Sequence, residues 1–219
     1  MILSIHLRKC AGTSFRAGLQ KAFGARLYLD YGDEIGSSWP SSQAKRQQSQ
    51  ARLRGSAAEF QASYDIVHGH YLPSKYAPCG PDVDLITFLR DPVARVVSNY
   101  AYLKHHPKRR NPDAIIVNDL GFSLMEFARH PDNVNFQSKA LEGLQVSDFT
   151  FIGLVEHYAA SIASLNRLYG WSLPVGDRLN VGAAPVALTA AEITELQQLN
   201  DRDMDLYEAA ARAFGSDDG

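Results

Sequence analysis

The residues whose types and spacing most clearly indicate a chemical role lie at the start of the chain. An apolar, strand-like stretch, Met1–Ile5, runs into a loop of small and basic residues, Arg8–Ser14, here called the anion loop. A helix is predicted to follow over Phe15–Phe23. Free backbone N–H groups at a helix start, together with the helix dipole, favour a bound anion. Lys9 adds a mobile positive charge within the loop.

Two hydroxyl side chains close the anion loop. Thr13 and Ser14 are candidates to cap the helix or to donate hydrogen bonds to a bound oxyanion. The loop departs from the Walker pattern, because Lys9 precedes Gly12 and no second glycine lies upstream. An ordinary strand-to-helix turn with a capping hydroxyl is the alternative that this segment alone leaves open.

Two further strand ends carry unusual side chains, His68-Gly69-His70 and Arg90-Asp91-Pro92. In an open parallel sheet, ligands bind outside the carboxyl ends of the strands. Arg90 offers a bidentate fork suited to phosphate, and Ser98 on the next helix offers a hydroxyl donor. The alternative is that Arg90 and Arg95 form structural ion pairs while Ser98 faces solvent.

The two histidines at i and i+2 face the same side of an extended segment, so a metal site is one interpretation of His68 and His70. No third ligand accompanies them at a recognisable spacing, and a structural role for one of them is equally consistent. Cys10 and Cys79 are the only cysteines, and they provide neither a disulfide framework nor metal-binding spacing. We therefore expect no metal.

Hydrophobic patterning predicts the elements that must position these groups. Strands are predicted at Met1–Ile5, Arg26–Tyr31, Tyr64–Val67, Val83–Leu89 and Phe149–Ile152. Helices are predicted at Phe15–Phe23, Pro92–Leu103, Ser123–Arg129, Phe136–Glu142, Glu156–Tyr169, after the Thr189–Glu192 capping box, and at Asp201–Phe214. The polar segment Gly36–Gly55 is expected to be a mobile loop or an exposed helix, and Lys104–Asn118 a basic, proline-interrupted loop. The alternation predicts an α/β fold with a central parallel sheet flanked by helices.

Composition narrows the class of protein. A chain of 219 residues with 45% apolar and 21% charged residues is typical of one globular domain, which we expect over residues 1–219. A net charge of −2 argues against wholesale nucleic-acid binding. No apolar run is long enough to cross a bilayer, and the first apolar stretch is too short for a signal peptide. We expect a soluble, cytoplasmic protein.

Two separated segments together resemble a known family. His6–Ser14 and Thr87–Tyr100, in that order, resemble the PAPS-dependent sulfotransferases, with most similarity to the carbohydrate type, which includes heparan sulfate 2-O-sulfotransferase, and to their bacterial relatives. In that family the first segment binds the 5′-phosphosulfate and the second binds the 3′-phosphate. Further similar segments are Asn135–Leu141, Phe151–Glu156, Leu179–Val181 and Asn200–Tyr207. The resemblance implies a P-loop-like sulfotransferase fold.

The resemblance also implies a cosubstrate and roles for residues. PAPS would donate its sulfonate to a hydroxyl of an acceptor, most plausibly a carbohydrate, and leave as PAP. Lys9 would stabilise the leaving phosphate oxygen, and His70 would act as general base, with His68 orienting it or contacting the acceptor. The implied cofactor-binding residues are Arg8, Lys9, Cys10, Ala11, Gly12, Thr13, Ser14, Arg90, Ser98 and Asn180.

The chain departs from the family where Arg8 and Cys10 replace the usual proline and threonine, and where Gly182 replaces a hydroxyl residue. Arg8 either adds charge at the sulfonate or reaches solvent, and Cys10 is a candidate oxidation site.

The basic run Lys104–Arg110 is either a solvated loop or part of an anionic-glycan site. Two other functions stay open: a P-loop-like kinase using Mg-ATP, and a non-catalytic nucleotide- or glycan-binding module.

Overall fold

A computed structural model describes residues 1–33, 57–107, 111–175 and 187–215, together with residues 44, 47 and 48. Its centre is a five-stranded, wholly parallel sheet in the order β2-β3-β1-β4-β5. The strands are β1 Ile2–Ile5, β2 Leu27–Asp30, β3 Ile66–Gly69, β4 Asp84–Leu89 and β5 Phe151–Leu154. The predicted α/β architecture with a central parallel sheet is confirmed.

Helices connect and flank the strands. The α-helices in the described part of the chain are α1 Gly12–Phe23, α2 Ala57–Ser63, α3 Pro92–His105, α4 Pro112–Ala114, α5 Leu124–Arg129, α6 Phe136–Ala140, α7 Tyr158–Tyr169, α8 Ala190–Leu199 and α9 Asp201–Phe214. A π-helical turn, Ile115–Asp119, continues α4, and 3-10 turns lie at Gly24–Arg26, Pro73–Cys79, Val146–Asp148 and Val155–His157.

The sheet brings the three predicted functional strand ends to one edge. β1 is central, and in its register Ile5 faces Gly69 of β3 on one side and Thr87 of β4 on the other. Because all three strands run in the same direction, the anion loop and the segments after Gly69 and Leu89 all leave from the same edge. The main hydrophobic core lies against this sheet, and a smaller apolar cluster joins α3, α5 and α8.

Local signals account for the helix starts near the site. Asp91 caps α3, because its Oδ1 accepts the Ala94 N–H at 2.8 Å, and Pro92 occupies the first turn. Ser123 and Thr189 each open a helix through a capping box with a glutamate three residues later. The Asp91 cap and the Thr189–Glu192 capping box were predicted from sequence and are confirmed, whereas the Ser123 cap was not predicted.

Several predicted boundaries were wrong by one to three residues; β5, for example, spans Phe151–Leu154 rather than Phe149–Ile152. β3 begins at Ile66 and extends through His68 and Gly69, because Asp65 pairs with the exposed Arg26 and His68 is buried beside Ser4. α1 begins at Gly12 rather than Phe15.

The predicted loop Lys104–Asn118 is also partly helical. Asn111 caps α4 by accepting the Ala114 N–H at 2.8 Å, and Pro112 stands at the first helical position. Ile116 and Val117 are then buried, so the turn has an apolar face that holds it against the protein. The sequence suggested only the basic character of this segment.

The close pairing of β2 with β3 predicts different effects for two glycine substitutions. A Cβ at Gly69 would lie 1.6 Å from the Asp30 carbonyl oxygen, whereas a Cβ at Gly18 in α1 would meet its nearest atoms at 3.6 Å. Gly69→Ala should therefore lower the free energy of unfolding by about 1–3 kcal/mol. Gly18→Ala should raise it by up to about 1 kcal/mol, because alanine is the better helix former.

Urea unfolding followed by circular dichroism measures both variants against the wild type. Equal unfolding midpoints for Gly69→Ala and the wild type would show that β2 and β3 are not packed this closely.

Candidate active site

The anion loop has the backbone geometry of an anion cradle. Lys9 and Ala11 have left-handed conformations, with φ of 69° and 57°. Left-handed residues alternating with ordinary ones turn successive N–H groups toward a common point. A Cβ at Gly12 would lie 1.7 Å from the His6 Nε2 atom, so the helix start is pressed against an imidazole and admits only glycine here.

The predicted capping role of Thr13 and Ser14 was wrong. The N-cap of α1 is Ala11, which has no side chain able to cap, and both hydroxyl residues lie inside the first turn. The first N–H groups of a helix have no intrahelical acceptor, so this end keeps its donors for an external group. Thr13 is exposed and Ser14 is half-buried, which leaves their hydroxyls beside those donors.

The structure brings Lys9 and Arg90 together. Arg90 Nη1 donates to the Lys9 carbonyl oxygen at 3.3 Å, although 81 residues separate them in the chain. The Lys9 ammonium lies 4.0 Å from the centroid of the Tyr102 ring on α3. Ser98 is half-buried on the same helix, one turn before Tyr102. Arg90 thus contacts the backbone of the anion loop just before α1, and Ser98 lies on the helix whose Tyr102 contacts the Lys9 ammonium.

A buried amide holds the arginine in place. Gln137 accepts the Arg90 N–H at 3.0 Å through Oε1 and donates to the Arg90 carbonyl at 2.9 Å through Nε2. Cys10 Sγ donates to the same Oε1 at 3.5 Å, and the Gln137 N–H is itself bound by Asp203. Gln137 was not among the predicted site residues, although it falls in the Asn135–Leu141 segment of the resemblance.

Arg8 points into the protein rather than into solvent. Its guanidinium forms an ion pair with Asp113 of α4 and lies 4.2 Å over the ring of Phe136. Asp113 also accepts a hydrogen bond from Asn99 at 3.2 Å. Arg8 Nε and Nη2 are buried and have no hydrogen-bond partner among the described residues. Arg8 thus ties the anion loop to α4.

Arg95 is an unusual buried cation. Its side chain is fully buried, its guanidinium lies 4.8 Å over Phe136, and its Nη2 donates to the Asn133 carbonyl at 3.2 Å. Burial lowers the pKa of this guanidinium. The Phe136 ring supports both Arg8 and Arg95, so α6 carries the aromatic surface for two cations beside the anion loop.

Cys10 is shielded in the structure. The side chain is 2% exposed, and burial raises the pKa of its thiol to about 12. A thiol that stays protonated and inaccessible is a poor nucleophile and reacts slowly with oxidants. The geometry assigns Cys10 to packing beside Gln137.

Three imidazoles form a stack at the ends of β1 and β3. The His6 ring lies 5.2 Å from His68 with an interplanar angle of 13°, and 4.3 Å from His70 with an angle of 21°. His68 Nδ1 is 2.8 Å from Ser4 Oγ, and the Tyr31 hydroxyl is 3.3 Å from His6 Nδ1. His6 was not a predicted functional residue, because its contacts come from distant parts of the chain.

The His6 backbone fixes the tautomer of His70. His70 Nδ1 donates to the His6 carbonyl at 2.5 Å, so the neutral ring keeps its lone pair on Nε2. Burial lowers the pKa of His70 to about 4, which keeps the ring neutral at pH 7. Tyr31 stands edge-on 5.0 Å from this ring and is 36% exposed, so an aromatic surface borders the histidine.

His68 lies deeper. It is 1% exposed within β3, and burial, with the nearby His70 charge, lowers its pKa to about 3.

Among the described residues no group of three or more His, Cys, Asp or Glu side chains could hold a metal ion. The described helices include none that is both long and apolar enough to span a membrane. The predicted cofactor residue Asn180 and the basic residues 108–110 lie outside the described residues.

Comparison with known proteins supports the fold. No protein-family profile and no curated protein sequence matches the chain. The structure is similar to a sulfotransferase from Alicyclobacillus acidocaldarius, with a TM-score of 0.51 and 14% identity over 95% of this chain and 94% of that chain. A mouse sulfotransferase complexed with PAP aligns with a TM-score of 0.40 and 10% identity over 93% of this chain and 65% of its own. The first similarity shows that the chain has the sulfotransferase fold.

The buried His68 predicts a loss of stability in acid. Its folded-state pKa lies below its unfolded value, so the unfolded chain binds the proton first as the pH falls. Neutral His68 makes its full contribution to the free energy of unfolding above about pH 6.5. Below that pH the free energy of unfolding falls by up to about 1.4 kcal/mol per pH unit. Urea unfolding between pH 7.5 and 4.5 measures this slope.

His68→Asn removes the titrating group while keeping an amide near Ser4, so it should reduce the slope by about one proton. The exposed His105 provides the control, because His105→Asn should leave the slope unchanged. Identical slopes for wild type and His68→Asn would contradict a neutral, buried His68.

Proposed function

We propose that this protein transfers the sulfonate group of PAPS to a hydroxyl of an acceptor, with a carbohydrate as the acceptor class. The observation that carries the proposal is the direct link between Lys9 and Arg90 at the start of α1. The Arg90 guanidinium thereby lies against the backbone of the loop that carries the Lys9 ammonium. Two loops that are separate in the sequence thus bring cationic side chains to neighbouring positions, which suits a nucleotide that is anionic at both its 5′ and 3′ ends. The sulfotransferase fold and the resemblance of both loops support the same conclusion.

The residues present fit PAPS. The N–H groups of the anion loop, from Ala11 to Ser14, and the Lys9 ammonium would hold the 5′-phosphosulfate. Arg90 and Ser98 would hold the 3′-phosphate, with Gln137 keeping the Arg90 backbone in place. When bound, PAPS supplies a sulfonate on a phosphate leaving group.

Lys9 and the start of α1 would provide the electrostatic part of catalysis. Negative charge grows on the leaving phosphate oxygen as the sulfonate departs, and fixed cationic and N–H groups stabilise such charge most when they are already in position. The left-handed backbone at Lys9 and its hydrogen bond from Arg90 fix the backbone of the anion loop before any ligand arrives.

His70 would take the proton from the acceptor hydroxyl. Its Nδ1 is committed to the His6 carbonyl, so Nε2 is the basic atom. His68, whose ring is separated from His70 by that of His6, would orient it from within the sheet. Neutral charge at pH 7 follows from burial, which favours the base form.

The carbohydrate class rests on less specific features. The family segments most similar to this chain belong to the carbohydrate type, and Tyr31 offers an exposed aromatic face edge-on to His70. Lys104 and the basic residues after it begin at the end of α3, the helix that carries Ser98. A survey of labelled-sulfonate transfer from PAPS to polysaccharides, glycolipids and small alcohols identifies the acceptor.

Nucleotide binding tests the first half of the proposal. PAP should bind without magnesium, and Arg90→Ala should weaken it by about 10- to 100-fold, the loss expected for a charge-assisted contact. Isothermal titration calorimetry measures both. Arg26→Ala is the matched control, because Arg26 lies before the start of β2, at the end of the sheet opposite the anion loop, and its exposed guanidinium bonds to Asp65 and to the Ala62 carbonyl.

Tighter binding of Mg-ATP than of PAP would overturn the proposal in favour of a kinase. PAP binding without transfer to any acceptor in the survey would favour a binding module.

Proton transfer tests the second half. His70→Ala should lower kcat by about 10²- to 10⁴-fold while leaving the PAP dissociation constant unchanged. In the wild type, kcat should fall only as the pH drops toward about 4, because the base must lose its proton and burial lowers its pKa. Transfer assays between pH 4.5 and 8 measure the profile.

His105→Ala serves as the control for removal of an imidazole from the surface. Undiminished turnover in His70→Ala, or an acid limb centred at pH 6.5, would refute the assignment of His70 as a buried base.

A further inference from the structure

Lys9 has a long, flexible side chain in a site that needs a fixed charge. Its backbone is held by the left-handed turn and by the hydrogen bond from Arg90. Neither contact restrains the four-carbon side chain, whose ammonium is the group that must meet the leaving oxygen. A separate contact is needed to hold the charge itself.

Tyr102 makes that contact. The Lys9 Nζ atom lies 4.0 Å from the centroid of the Tyr102 ring, well within the range in which an ammonium is attracted to an aromatic face. The ring is half-buried, which strengthens the attraction because less water competes for the cation.

The ring is itself restrained. Its centroid lies 4.1 Å from that of the His106 imidazole, and His106 Nδ1 donates to the Tyr102 carbonyl at 2.7 Å. Tyr102 also stands on α3, whose start is fixed by the Asp91 cap and Pro92. One helix therefore carries both Ser98 and, one turn later, the ring under Lys9.

We propose that Tyr102 is a positioning residue that holds the Lys9 ammonium between the anion loop and α3. Its effect on catalysis rests on the sulfonate transfer proposed above, whereas the contact itself does not. The aromatic face, rather than the hydroxyl, does the positioning, because the cation lies over the ring centroid. Phenylalanine should therefore replace Tyr102 and leucine should not.

The contact is tested by NMR on the ligand-free protein. The Lys9 ε-CH₂ resonance, assigned by its loss in Lys9→Met, should be shifted upfield by the ring current in the wild type and in Tyr102→Phe. Tyr102→Leu should return it to the position of an exposed lysine. A Lys9 resonance that is unshifted in the wild type, or unchanged in Tyr102→Leu, would overturn the proposal.

The consequence is tested by kinetics. Tyr102→Leu should lower kcat by about 5- to 30-fold with little change in KM for PAPS, the range expected for loss of one cation–aromatic contact. Tyr102→Phe should restore kcat. The matched control is Tyr100→Leu, which removes a second lysine–tyrosine contact, at 5.6 Å from Lys104, from the same helix.

Thermal unfolding of both leucine variants separates misplacement of Lys9 from loss of stability. A fall in kcat that is equal for Tyr100→Leu and Tyr102→Leu would assign Tyr102 to packing alone and overturn the positioning role. Absence of PAP binding by the wild type would remove the proposed function, and the NMR arm would still decide whether Tyr102 holds Lys9.

Discussion

The site depends on the central position of β1 in the sheet. Its last residues are hydrogen-bonded on both sides, since the His6 N–H donates to Gly69 at 2.8 Å and Thr87 Oγ1 donates to the Ile5 carbonyl at 2.8 Å. The next free carbonyl, that of His6, accepts the proton on His70 Nδ1. One short strand thereby fixes the directions in which both neighbouring loops leave the sheet, and His70 and the cations beside it are positioned from that strand.

Positioning these groups lowers the stability of the folded protein locally. Burying an imidazole or a guanidinium lowers the free energy of unfolding relative to an apolar side chain of similar size, unless the hydrogen bonds of the polar group are complete. His68 is buried and neutral, and Arg95 is buried over Phe136. Arg8 forms an ion pair with Asp113, which ties the anion loop to α4. Such concentrations of strained or polar groups are typical of functional sites.

Sequence patterns located the parts of the site that depend on local signals. The Asp91 cap, the capping boxes, the buried run of β4 and the candidate residues Lys9, Arg90 and His70 could all be predicted from neighbours within a few positions. The roles of His6 and Gln137 could not. Gln137 reaches Arg90 across 47 positions, and the His6 ring meets two imidazoles more than sixty positions away. No periodicity or spacing rule covers contacts of that kind.

The sequence by itself determined the α/β class, the order of the elements and the residue types able to bind an anion, because these follow from hydrophobic period, turn chemistry and side-chain charge. Only the tertiary structure decided which of those residues meet and in which protonation state. It buried His70 enough to lower its pKa, turned Arg8 inward to Asp113, and set the Lys9 ammonium over Tyr102. The reason is physical: burial and long-range packing depend on strand order, which local sequence does not contain.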